Sequence, residues 1–178
     1  MGIDPGTRLM GYGVIMIEKQ KITLLQYGVI NLIKYTTHEI KLKKIFERII
    51  SLIDEFSPDE MALEAPFYGK NVQSMLKLGR AQGVAMAAAL SREIPIVEYS
   101  PKSVKQSVTG NGNASKEQVA YMLESLLKQK LQGEFFDATD ALAVAVCHHY
   151  HENNLQSTKT GTKKGWGAFL AENSDRIV

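Results

Sequence analysis

The chain has 178 residues, 44% of them apolar, which suits one ordinary domain with a real core and excludes a disordered chain. No apolar run approaches the roughly 20 residues that span a bilayer, and no charged-then-apolar leader opens the sequence. One cysteine, Cys147, excludes an internal disulfide and, with the missing leader, predicts a cytoplasmic protein; the net charge of +2 is too small to argue a polyanionic partner by itself.

Residues 2–15 predict a strand end, a tight turn and an antiparallel return strand. Asp4 closes the first strand, Pro5 has no N–H for a sheet, and Gly6 suits a turn. The turn presents a carboxylate at the sheet mouth, or simply a hairpin whose Asp caps its own turn. Tyr12 to Ile17 and Ile22 to Ile33 read as two more strands, joined by polar residues 18–21. Leu42, Ile45, Phe46, Ile49, Ile50, Ile53 and Phe56 then fall at helical spacing, and Pro58 ends that helix. Met61 to Ala65 reads as a buried parallel strand with Glu64 at its C-terminal end, where open α/β sheets place ligands.

A second helix is predicted from about Val72 to Ser91. Its surface is unusually small (Gly79, Ala81, Gly83, Ala85, Ala87), which predicts close packing in the domain or between subunits. Ile94 to Tyr99 is the next strand, and Pro101 starts a short helix. Ser115 and Gln118 form a capping-box pattern for another. The last core helix begins near Phe135. Beyond Glu152 the chain turns polar, and Ser157 to Gly165 reads as a flexible basic linker. The order predicts a mixed-sheet α/β domain over 1–152 and a polar C-terminal extension over 153–178.

Four acids stand at strand ends or a helix start in small or apolar contexts: Asp4, Glu64, Asp137 and Asp140. Asp137 and Asp140, three apart, share a helix face in the first turn, where ordinary capping would also place them. If all four meet, their mutual repulsion calls for divalent cations. Mg²⁺ prefers oxygen ligands, and two ions can clamp the attacking and leaving oxygens of a phosphodiester displacement. His148, His149 and His151 compete for a metal role. His148, however, lies about 12 Å from Asp140 along a regular helix, and a polar C-terminal turn explains the cluster. Cys147 reads as an inert buried thiol. Lys70, Lys77 and Arg80, then Lys102, Lys105 and Lys116, occur in zones without acids, which points to phosphate contacts. Phe67 and Tyr68 follow Glu64 on a loop, placed either to stack on a base or to pack on the sheet edge.

Several motifs in order resemble the RuvC family of bacterial Holliday-junction resolvases. They are Gly-Ile-Asp-Pro-Gly at 2–6, Gly-Tyr-Gly at 11–13, the Glu64 strand with its aromatic loop, residues 76–84, Val-Lys-Gln-Ser-Val at 104–108, and Asp-Ala-Thr-Asp-Ala-Leu-Ala at 137–143. The resemblance implies a ribonuclease-H-like fold with a mixed five-stranded sheet flanked by helices. It implies a homodimer that makes paired, symmetric, Mg²⁺-dependent nicks across a four-way DNA junction in recombination and repair. Two Mg²⁺ ions per site are expected, with Mn²⁺ as a substitute. It places the catalytic, metal-holding carboxylates on Asp4, Glu64, Asp137 and Asp140. The junction-contacting aromatic falls on Phe67 and the functional lysines on Lys105 and Lys116; Lys70 joins the DNA-binding set by charge. The RuvA and RuvB branch-migration proteins are the implied partners. Relatives usually begin with a longer apolar strand, so with three residues before Asp4 either a short first strand or a truncated start is expected. Another ribonuclease-H-like nuclease, acting on ribosomal RNA precursors, is the alternative. An actin-like nucleotide switch would share Gly-Ile-Asp-Pro-Gly-Thr but needs a second phosphate loop and a far longer chain, and an inactive junction-binding scaffold would not need the intact acid set.

Overall fold

The structure is a computed structural model that describes residues 1–66, 71–131 and 136–160, with side chains through Glu152. Three antiparallel strands open the chain: β1 (Gly2–Asp4), β2 (Leu9–Glu18) and β3 (Lys21–Asn31). Lys19 and Gln20, both at positive φ (48° and 67°), make the two-residue turn between β2 and β3. Helix α1 (His38–Phe56) follows, capped by the Thr37 side chain, which accepts from the Ile40 N–H. Ser57, at φ 44°, ends it just before Pro58. Strand β4 (Met61–Glu64), helix α2 (Val72–Leu90) and strand β5 (Ile96–Tyr99) complete the sheet. Helices α3 (Pro101–Thr109), α4 (Lys116–Leu127) and α5 (Phe136–Thr160) come last. The predicted Ser115–Gln118 capping box is formed in both directions.

The strand order is β3-β2-β1-β4-β5. β1 is central, antiparallel to β2 and parallel to β4, and β4 is parallel to β5. This is the mixed five-stranded sheet that the sequence predicts. Side chains alternate between the two faces. Ile3, Met10, Tyr12 and Leu63 bury one face into a core with Ile45, Ile49 and Leu52 of α1 and Ala81, Ala85, Ala88 and Ala89 of α2. Phe46, at helical spacing with these, is 41% exposed and lies off the core stripe. The opposite face meets α5, whose residues from Ala141 to Cys147 are all buried.

The chain divides into two compact units, residues 1–148 and 149–178, and the sheet belongs to the first. The linker expected from Ser157 begins instead as helix, because α5 continues to Thr160. No glycine or proline interrupts residues 136–160, and extending a formed helix is far easier than starting one. The histidines are therefore not in a C-terminal turn as expected, and His148 is a buried mid-helix residue. Among the described residues no helix is long and apolar enough to cross a membrane.

Candidate active site

Three glycines bring α5 onto the sheet. Gly2 pairs with Gly13, and Asp4 pairs with Gly11, so all four residues point to the α5 face. A Cβ on Gly11 would lie 1.9 Å from the Asp137 carbonyl oxygen, and one on Gly2 would lie 2.3 Å from that of Ala141. A Cβ on Gly13 would lie 2.8 Å from Leu142 Cα. No side chain fits between these backbones. The first turn of α5 therefore sits directly over the Asp4–Gly11 pair. Asp137 is the second residue of that helix, and Asp140 follows on the same face.

Glu64 arrives from the other side of β1. The register pairs Gly2 with Ala62 and Ile3 with Leu63, and its next step sets Asp4 beside Glu64 on the α5 face. The four acids that the sequence singles out thus come together at the C-terminal ends of β1 and β4, beneath the start of α5. Phe67 and Lys70 lie outside the described residues.

The acids strain one another electrostatically. Burial, then Glu64, Asp140 and Asp137, push the Asp4 carboxyl up to about 8, while Lys116 pulls the other way. Burial and then Asp140 push Glu64 up to about 7, opposed by Lys116 and Lys105. Lys116, the first residue of α4, forms an ion pair with Asp140. Burial draws the Lys116 ammonium down, but the Asp140 bond and charge outweigh this, and its pKa stands raised. Lys105 of α3 acts on Glu64 through charge. Lys105 and Lys116, two of the three lysines predicted to touch DNA, thus act on the acids as well.

The donor set suits a hard divalent cation. Its ligand atoms are carboxylate oxygens, and no thiol or imidazole takes part. Fully ionised, four carboxylates against two ammoniums leave an excess of two negative charges in a largely buried place. A divalent ion would balance that charge. Asp137 lies in the first turn of α5, where an acid also complements the helix dipole.

Sequence reasoning did not find a second polar cluster. His148 Nε2 lies 2.5 Å from Glu60 Oε2, and its Nδ1 lies 2.9 Å from the Tyr99 hydroxyl. Glu60 and Tyr99 stand 88 and 49 residues from His148, and no local pattern links them.

The family model of crossover junction endodeoxyribonuclease RuvC matches residues 1–148. The RuvC protein of Cytophaga hutchinsonii is 59% identical over 99% of this chain and 86% of its own length. That of Christiangramia forsetii is 58% identical over 99% of this chain and 91% of its own. Thermus thermophilus RuvC, solved in complex with a Holliday junction substrate, superposes with a TM-score of 0.79 at 30% identity, covering 86% of this chain and 93% of that one. The chain belongs to the RuvC family of crossover junction endodeoxyribonucleases.

Proposed function

We propose that this chain resolves four-way DNA junctions by paired, symmetric, Mg²⁺-dependent nicks, in recombination and repair. The observation that carries the reading is the meeting of Asp4, Glu64, Asp137 and Asp140 in a site short of two positive charges. Family membership, and the junction bound to the Thermus thermophilus relative, support the substrate.

In this reading the four carboxylates hold Mg²⁺, two ions per site, with Mn²⁺ able to replace it. The metal would supply Lewis-acid stabilisation of the phosphodiester displacement. Asp4 and Glu64 sit on strands and Asp137 and Asp140 on a helix pressed against the sheet, so the oxygens are held before substrate arrives. Lys116 and Lys105 offset charge where a phosphate would enter. Lys70 contacts the DNA backbone, and Phe67 stacks on a base of the opened junction. Residues 1–152 form the nuclease domain, and 153–178 is a polar C-terminal extension.

A homodimer is part of the proposal, and the exposed face of α2 supports it. Leu76 and Leu90 are 52% and 61% exposed, and they share a face with Gly79, Gly83 and Ala87. A Cβ added at Gly79 or Gly83 meets nothing within 4 Å. An apolar, small-residue stripe of this kind suits a second copy of the helix. RuvA and RuvB are the proposed partners and the cytoplasm the proposed location.

Incubation with a synthetic four-way junction, a linear duplex and an RNA hairpin, with and without Mg²⁺, tests the reading. Paired cuts confined to the junction and dependent on metal are expected. Cutting of the hairpin in preference to the junction would point to RNA processing.

A further inference from the structure

His148 is the polar exception on the buried stretch of α5. From Ala141 to Cys147 that helix buries only Ala, Leu, Val and Cys, at 0–3% exposure. Such contacts fill space but set no direction, since hydrophobic attraction is non-directional. Hydrogen bonds do set direction. His148 is 8% exposed, and both of its ring nitrogens are engaged. The Glu60 carboxylate only accepts, so Nε2 carries the hydrogen and donates to it. Nδ1 pairs with the Tyr99 hydroxyl, 2.9 Å away.

The two partners are not arbitrary. Glu60 immediately precedes β4, the strand that ends at Glu64. Tyr99 is the register partner of Glu64 on β5. One imidazole therefore ties the helix carrying Asp137 and Asp140 to the strand carrying Glu64 and to its neighbour. His148 lies about 12 Å along α5 from Asp140, so it acts only through the helix.

We propose that His148 is a positioning residue. Through Glu60 and Tyr99 it sets the axial position and rotation of α5, and with them the spacing of Asp137 and Asp140 from Glu64. This rests on reading the four acids as a divalent-cation site. Mg²⁺ demands near-octahedral geometry at about 2.0–2.1 Å, whereas Ca²⁺ accepts flexible geometry at about 2.3–2.6 Å. A displaced helix should therefore weaken Mg²⁺ more than Ca²⁺. A purely structural role would not discriminate between the ions.

The test compares wild type with His148→Leu, His148→Gln and Tyr99→Phe, measuring Mg²⁺ and Ca²⁺ binding by calorimetry alongside thermal stability and junction cleavage. Tyr99→Phe removes one hydrogen bond with little change of volume, so it reports even if His148→Leu does not fold. We expect a loss of about tenfold in Mg²⁺ affinity for His148→Leu, of the size seen when outer-shell partners are removed, with Ca²⁺ affinity nearly unchanged. Tyr99→Phe should lose less, and His148→Gln, which keeps a donor for Glu60, should recover part of the loss. An unchanged Mg²⁺-to-Ca²⁺ ratio in folded variants of a wild type that binds Mg²⁺ would overturn the positioning role alone. A wild type that neither binds Mg²⁺ nor cuts the junction would overturn the cation site itself.

Discussion

The two faces of the sheet are packed by different rules. On one, Ile3, Met10, Tyr12 and Leu63 interdigitate with Ile45, Ile49 and Leu52 of α1. On the other, Gly2, Gly11 and Gly13 leave bare backbone, and α5 rests against it with its own backbone atoms. The first face holds the fold together by apolar area, and volume-conserving changes there are absorbed by neighbouring side chains. At those glycines the second has only side chains from the helix, such as Ala141 and Ala145, to absorb a change. That rigidity is what a cation site needs, because the acids on this face come from two strands and a helix far apart in sequence. Stability and positioning are thus separated across one sheet.

The largest expected effect breaks the second face at its chemistry. Asp4→Asn, Glu64→Gln, Asp137→Asn and Asp140→Asn keep shape and lose charge. Loss of metal-borne stabilisation of several kcal/mol predicts cleavage down on the order of 10³-fold, with junction binding in Ca²⁺ retained. If capping were the role of Asp137, its Asn variant would cut normally, since Asn caps as well as Asp.

Next comes Gly11→Ala, which keeps every acid in the sequence but pushes the Asp137 backbone off the sheet. A displacement of about 1 Å can lower a rate on the order of 10²-fold, and a comparable loss is expected in single-turnover cleavage. Ile49→Val is the matching change on the other face. It should cost about 0.5–1.5 kcal/mol in denaturant unfolding and leave cleavage per folded molecule unchanged. Equal effects of Gly11→Ala and Ile49→Val on cleavage would erase the distinction between the faces.

A smaller effect appears with pH. Asp4 and Glu64 titrate near 8 and 7 in the folded metal-free protein, above their ordinary values of 3.8 and 4.5. Between these values the folded state binds more protons than the unfolded state, so metal-free stability falls as pH rises from about 4 to 8. Asp4→Asn should flatten that fall in thermal melts. Mg²⁺ competes with the same protons, so its affinity should tighten over the upper part of the window. The smallest change is expected for Lys105→Ala, which should reduce the slope of log junction affinity against log salt by about one.

Much of this site was legible in the sequence because its parts carry local signals. Asp4 follows a strand and precedes Pro-Gly, Glu64 ends a short apolar run, and Asp137 and Asp140 are one helical turn apart. The Ser115–Gln118 capping box likewise sits within one helix's first turn. What stayed hidden depends on distant partners. Gly11 and Gly13 matter through a helix more than 120 residues away, and periodicity cannot reveal an approach between backbones. His148 looked like part of a polar helix end because the helix was expected to stop soon after it. Its partners Glu60 and Tyr99 are brought to it only by the stacking of β4 and β5 under α5.

The central claim is that close packing of α5 on the glycine face assembles one divalent-cation site from Asp4, Glu64, Asp137 and Asp140. Anomalous scattering from crystals soaked in Mn²⁺ near pH 8 tests it most directly. The account predicts a strong peak within coordination distance of Asp4 and of at least one carboxylate from α5, lost in Asp4→Asn crystals. Crystals that cleave a soaked junction yet show no Mn²⁺ among these four carboxylates would contradict it.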